Sequence, residues 1–139
     1  MYSRVVLTLD GSEFSKCALS HAATIAGSLG VPLVLLQVIP YPAVMDASVE
    51  ADEEATVRRA LDQIAHDLRG QGVQAEIKIP WGDVVRQIVE FIQADPDTLL
   101  VMSTHGRTGL SKLTMGSVTE SVLRDAKKTT MLICRCPER

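Results

Sequence analysis

Aromatic side chains are scarce: one Trp, two Tyr and two Phe stand among 139 residues, although 46% of the chain is hydrophobic. The core must therefore be assembled from Val, Leu, Ile, Ala and Met, as in parallel strands buried beneath helices. Charge of one sign is also missing. With 14 basic and 17 acidic residues the formal net charge is −3, which leaves no broad positive surface for nucleic acid or an anionic membrane. No apolar run reaches membrane-spanning length. Met1-Tyr2-Ser3-Arg4 leads into a strand-like run instead of a signal peptide with a small-residue cleavage site. The expectation is a cytoplasmic protein whose partners are small molecules or proteins. Cysteine is sparse too: Cys17, Cys134 and Cys136 are odd in number and lack companions at metal-site spacing, which argues against a disulfide framework or a zinc site.

What the chain does have is regular alternation. Residues 4–9 read as a strand that ends at Asp10-Gly11-Ser12, with Ser12 as the N-cap of a helix running to Gly30. Residues 31–39 form a nearly unbroken apolar run, the pattern of an inner strand, stopped by Pro40 and Pro42. A helix is expected over 51–69, with Val57, Leu61, Ile64 and Leu68 on one side. Val73, Ala75, Ile77 and Ile79 then alternate with polar residues, which predicts a half-wet edge strand. Asp83 is the expected N-cap of a third helix that stops before Pro96. Residues 98–102 form another buried strand, Ser117 is read as the cap of a last helix, and 129–136 as the final strand.

Strict strand–helix alternation predicts an α/β fold: one domain over 1–139, an open five-stranded parallel sheet of order 3-2-1-4-5 with helices on both faces, Rossmann-like. In such a sheet ligands bind at the carboxyl ends of the strands where the order reverses. Here that brings Asp10 opposite the loop spanning 103–117. Gly106 and Gly116 bracket nine residues, and Gly116-Ser117-Val118 opens a helix. Glycine allows close backbone approach, first-turn amides are free donors, and Arg107 and Lys112 supply local positive charge, all of which suits a phosphate. An ordinary turn and cap would use the same residues. Neither the P-loop nor the Gly-x-Gly-x-x-Gly fingerprint is present after the first strand.

Residues 5–12, 101–110 and 115–118 resemble the universal stress protein family, and the likeness extends over essentially the whole chain. ATP-binding members carry Gly-x2-Gly-x9-Gly-Ser/Thr; this sequence has Ser103-x2-Gly106-x9-Gly116-Ser117, with serine at the first glycine. The resemblance implies that Asp10 contacts the ribose or adenine side, and that Thr8, Leu9 and Val38 line the adenine slot above Met102. It implies that Gly106, Arg107, Gly116, Ser117 and Val118 hold the phosphates, with Ser103 at their edge. Thr8 stands where some ATP-binding members have proline. The resemblance also implies a homodimer through the last strand, whose apolar Met131-Leu132-Ile133 forms an edge.

The function this points to is a stress-response module that binds ATP or another adenine nucleotide, with magnesium as a possible companion. No catalytic constellation stands out around 106–119, so a binding module is favoured over an enzyme. The alternatives are a slow ATPase with Asp10 holding magnesium, and a dimeric interaction scaffold that does not bind nucleotide because of Ser103. His105 is read as a solvated loop histidine, His21 and His66 as surface residues, and Trp81 as a residue packed beneath the loop.

Overall fold

A computed structural model describes residues 1–42, 46–104 and 116–135. Strands β1 (Arg4–Thr8), β2 (Leu33–Leu36), β3 (Ala75–Lys78), β4 (Thr98–Ser103) and β5 (Thr130–Cys134) form one parallel sheet of order β3-β2-β1-β4-β5, as the alternation predicts. The register sets Val5 beside Leu33 and Leu99, so β1 lies at the centre and the order reverses between β1 and β4. Leu33–Leu36 are all buried, in keeping with their unbroken apolar run, whereas β3 alternates between buried and exposed as an edge strand should.

The helices are α1 (Glu13–Lys16), α2 (Leu19–Leu29), α3 (Ala47–Gly70), α4 (Val84–Gln93) and α5 (Ser117–Asp125). The single first helix expected from the sequence is thus two pieces, and α3 starts at Ala47, four residues before the expected Ala51. Asp46 explains that early start: its side chain accepts from Ser48 N–H at 3.0 Å, capping a turn that buries no apolar residue. Gly30 closes α2 in the left-handed conformation, φ 68° and ψ 31°. Asp83 caps α4 by accepting from Arg86 N–H at 3.0 Å, and α4 ends before Pro96 as expected.

Strand alternation divides the core into two layers. Val5, Leu7, Leu33 and Leu35 face α2 and α3, where Ala22, Ala26, Leu61, Ala65 and Leu68 meet them. Val6, Val34, Leu36, Leu100 and Met102 face α4 and α5, meeting Ile88, Ile92 and Val122. Cys134 is a free thiol, and burial pushes its pKa up. Cys17, contrary to the expectation from an odd cysteine count, is disulfide-bonded. Among the described residues no helix is long and apolar enough to cross a membrane.

Candidate functional site

The chain leaves β1 through a tight turn at the carboxyl rim of the sheet. Gly11 has φ 88°, a left-handed conformation that glycine adopts without strain. The N–H and Oγ of Ser12 both donate to Asp10 Oδ1, at 2.9 and 2.5 Å. Ser12 Oγ also accepts from Ser15 N–H at 3.1 Å, so it caps α1 as expected. Ser15 Oγ in turn accepts from Asp10 N–H at 3.3 Å and donates to Ser12 O at 2.9 Å. This closed set of bonds fixes the Asp10 carboxylate at the rim.

Across the switch point, β4 and α5 are joined directly. Thr104 N–H donates to Cys134 O at 2.9 Å and Gly116 N–H donates to Thr104 O at 2.6 Å. The Thr119 hydroxyl, buried, donates to Ser103 O at 2.8 Å. Gly116, not Ser117, occupies the N-cap position, with φ −61° and ψ 155°. Ser117 is already inside the first turn, so its hydroxyl makes no cap bond. The Gly116 amide is spent on Thr104. The donors that α5 leaves without an intrahelical partner are the first-turn amides of Ser117, Val118 and Thr119.

Between these two structures lies a cavity of about 250 Å³. Thr8, Val38 and Met102 reach it from the face that carries α4 and α5, because each follows a residue of that layer two positions earlier: Val6, Leu36 and Leu100. Leu9, Asp10 and Ser103 line its rim, and Gly116, Ser117 and Val118 line the side formed by α5. Nine of the eleven residues singled out in the sequence therefore converge on one cavity; Gly106, Arg107 and also His105 lie outside the described residues. His21 and His66 are exposed. Ser15, Pro40, Val84, Ile88 and Thr119 line the cavity too, and the sequence reading missed their part in it. For Val84 and Ile88 the signal existed: they lie one turn apart on the apolar stripe of α4, which read simply as core.

The edge of β2 beside the cavity carries a further feature. Gln37 N–H and Ile39 N–H bond across to β3-side carbonyls, Lys78 O at 3.1 Å and Pro80 O at 2.9 Å. Val38, between them, must turn its N–H and C=O the other way, toward β1. The last bond on that side is Leu9 N–H to Leu36 O, 2.9 Å, after which β1 has left the ladder. Among the described residues Val38 N–H and C=O thus have no backbone partner. Among those same residues no group of three or more His, Cys, Asp or Glu side chains could hold a metal ion.

This strand order, with a cavity at its reversal point and helix amides beside it, is that of an open α/β fold of the doubly wound kind. The family model of the universal stress protein family matches residues 1–134, and the chain belongs to that family. It is similar to universal stress protein MJ0531 of Methanocaldococcus jannaschii, 26% identical over 140 residues that cover 96% of this chain and 82% of that protein. The structure of MJ0577 from the same organism superposes with a TM-score of 0.82 at 22% identity, covering 100% of this chain and 99% of the other. A universal stress protein solved in complex with cAMP superposes with a TM-score of 0.74 at 26% identity, covering 95% of this chain and 96% of the other.

Proposed function

We propose that this universal stress protein binds an adenine nucleotide, ATP in the first instance, in the cavity between β1 and β4, and acts as a binding module in a stress response. The observation that carries this reading is the Val38 N–H and C=O pair at the cavity, an adjacent donor and acceptor without backbone partners among the described residues. Adenine offers the complementary acceptor and donor at N1 and N6, and Thr8, Met102, Ile88 and Val84 supply the apolar walls that a base requires. Leu9 closes the slot, and Asp10, held by Ser12, accepts from a ribose hydroxyl. The amides of Ser117, Val118 and Thr119 receive phosphate oxygens with the favourable end of the α5 dipole behind them. Gly106 and Arg107 would join them there. A relative in complex with cAMP supports an adenine nucleotide as the ligand class.

Magnesium is compatible with this cavity only as a passenger of the phosphates: it needs near-octahedral oxygen coordination, and Asp10 is the one carboxylate among the described lining residues. Asp10 is the one acid or base on the described lining, which favours a module that holds the nucleotide over one that turns it over. Ser103 gives the scaffold reading its support, since its buried side chain occupies cavity space that glycine would leave open.

We further place the protein in the cytoplasm as one domain over 1–139, paired with its own copy through β5. Met131, Leu132 and Ile133 are only half-buried on that edge, and an apolar edge left open invites pairing. Light scattering is expected to give a dimer mass, and Ile133→Glu, at a position belonging to neither core layer, is expected to give a folded monomer. The deciding experiment for the ligand is chromatography of nucleotide released on denaturation, with calorimetric titration of ATP into stripped protein. Released adenine nucleotide or saturable binding is the expected result; an empty protein indifferent to ATP would establish the scaffold reading instead.

A further inference from the structure

Where the sheet forms the floor of the cavity, it presents Thr8, Val38 and Met102, and one of these three is polar. Thr8 ends β1, with Leu36 beside it in the register on β2. On β4 its neighbour is Met102, one step past the Leu7–Val101 pair. Strand alternation turns the Thr8 side chain to the same face as Val6, the face that carries α4 and α5. Its hydroxyl therefore stands in an apolar setting made by Leu36, Val38 and Met102. The residue is only 8% exposed.

Other buried hydroxyls bordering the cavity are committed to the protein: Ser15 Oγ donates to Ser12 O at 2.9 Å and Thr119 Oγ1 to Ser103 O at 2.8 Å. The Thr8 hydroxyl makes no hydrogen bond among the described residues. Its oxygen is not sealed inside the core, and the space it meets is the cavity. A hydroxyl withdrawn from water without a partner costs free energy, which a ligand offering the complementary atom recovers. A site built around such a group also rejects a ligand that lacks that atom.

We infer that Thr8 is a specificity-determining residue, whose hydroxyl donates to a ring nitrogen of the purine held in the cavity; this rests on the adenine-nucleotide reading above. With N1 and N6 of adenine on Val38, the ribose toward Asp10 and the phosphates on α5, the base passes from β2 over β1. Adjacent strands lie about 4.8 Å apart, so the five-membered side of the base comes to Thr8. A purine standing edge-on in the slot turns either N3 or N7 to the floor. Both are acceptors, and a threonine hydroxyl is a donor that can rotate to meet either. The Thr8 methyl group remains part of the apolar wall.

ATP, 7-deaza-ATP and 3-deaza-ATP are titrated calorimetrically into stripped wild-type, Thr8→Val and Thr8→Ser proteins. Wild type is expected to bind ATP about tenfold more tightly than one of the two analogues, and the weaker analogue names the nitrogen that Thr8 meets; either one supports the inference. Thr8→Val is expected to lose that discrimination by binding ATP about tenfold more weakly, and Thr8→Ser, which keeps the hydroxyl, to retain it. Without nucleotide, Thr8→Val should melt no lower than wild type, because the hydroxyl has no protein partner to lose. A lowered melting temperature would give the hydroxyl a structural role and overturn the inference. Equal binding of all three nucleotides by wild type, or discrimination that persists in Thr8→Val, overturns it while the nucleotide reading stands. Failure of wild type to bind ATP removes that reading and this inference together.

Discussion

The two faces of the sheet are covered unequally. Among the described residues, sixteen buried ones make up the layer under α2 and α3, against eight under α4 and α5. The helices differ in the same sense: α2 and α3 have 11 and 24 residues, α4 and α5 only 10 and 9. Among the described residues these short helices leave space at the carboxyl ends of β1 and β4, and that space is the cavity. A closed layer supplies stability and an open one supplies a place for a ligand, so one sheet serves both ends without a second domain.

The largest effect that would break this comparison is in the closed layer. Leu35→Ala, at a fully buried position, is expected to cost about 2–5 kcal/mol, measured by urea unfolding. Ile88→Ala, which borders the cavity, should fall at the low end of that range; equal losses would mean that the two layers do not differ. Gly116→Val sharpens the contrast from the open side. Its φ of −61° is available to any residue, so the fold should persist while the added side chain crowds the α5 amides and weakens ATP binding by more than about tenfold.

Asp83→Ala comes next, removing the cap of α4 at an expected cost of about 1 kcal/mol. It should also lower nucleotide affinity slightly, because α4 carries Val84 and Ile88. The smallest effect is expected far from both layers. Ser3 Oγ donates to Asp95 Oδ2 at 2.6 Å, and this bond, followed by the Asp97 amide, holds the Asp95 carboxyl below its ordinary 3.8. A lowered pKa in the folded state stabilises the fold above the unfolded value and ceases to do so as pH falls through the lowered one. Ser3→Ala should therefore lower the denaturation midpoint measurably at about pH 7 and not at all at about pH 2.

Much of the fold was legible because the two periodicities are strong and local. The unbroken Leu33–Leu36 run marked an inner strand, the alternation through Ala75–Lys78 an edge strand, and parallel topology with right-handed crossovers left few orders to choose from. Less legible were the helix ends, where hydrogen bonds outweigh the apolar pattern: Asp46 draws α3 back to Ala47, and Gly116 takes the cap position read for Ser117. Turn chemistry at Asp10 and the glycine spacing pointed to the rim of the cavity, but not to its walls.

By itself, then, the sequence determined the order and type of the elements, the two layers of the core and the end of the sheet at which a ligand would sit, since all of these follow from repeats of two and about four residues. Only the tertiary structure decided that the Val38 amide and carbonyl would have no backbone partner among the described residues, because that depends on where β1 diverges from β2. Which backbone and side-chain groups remain without a partner is a property of how elements meet in space, and no local pattern records it.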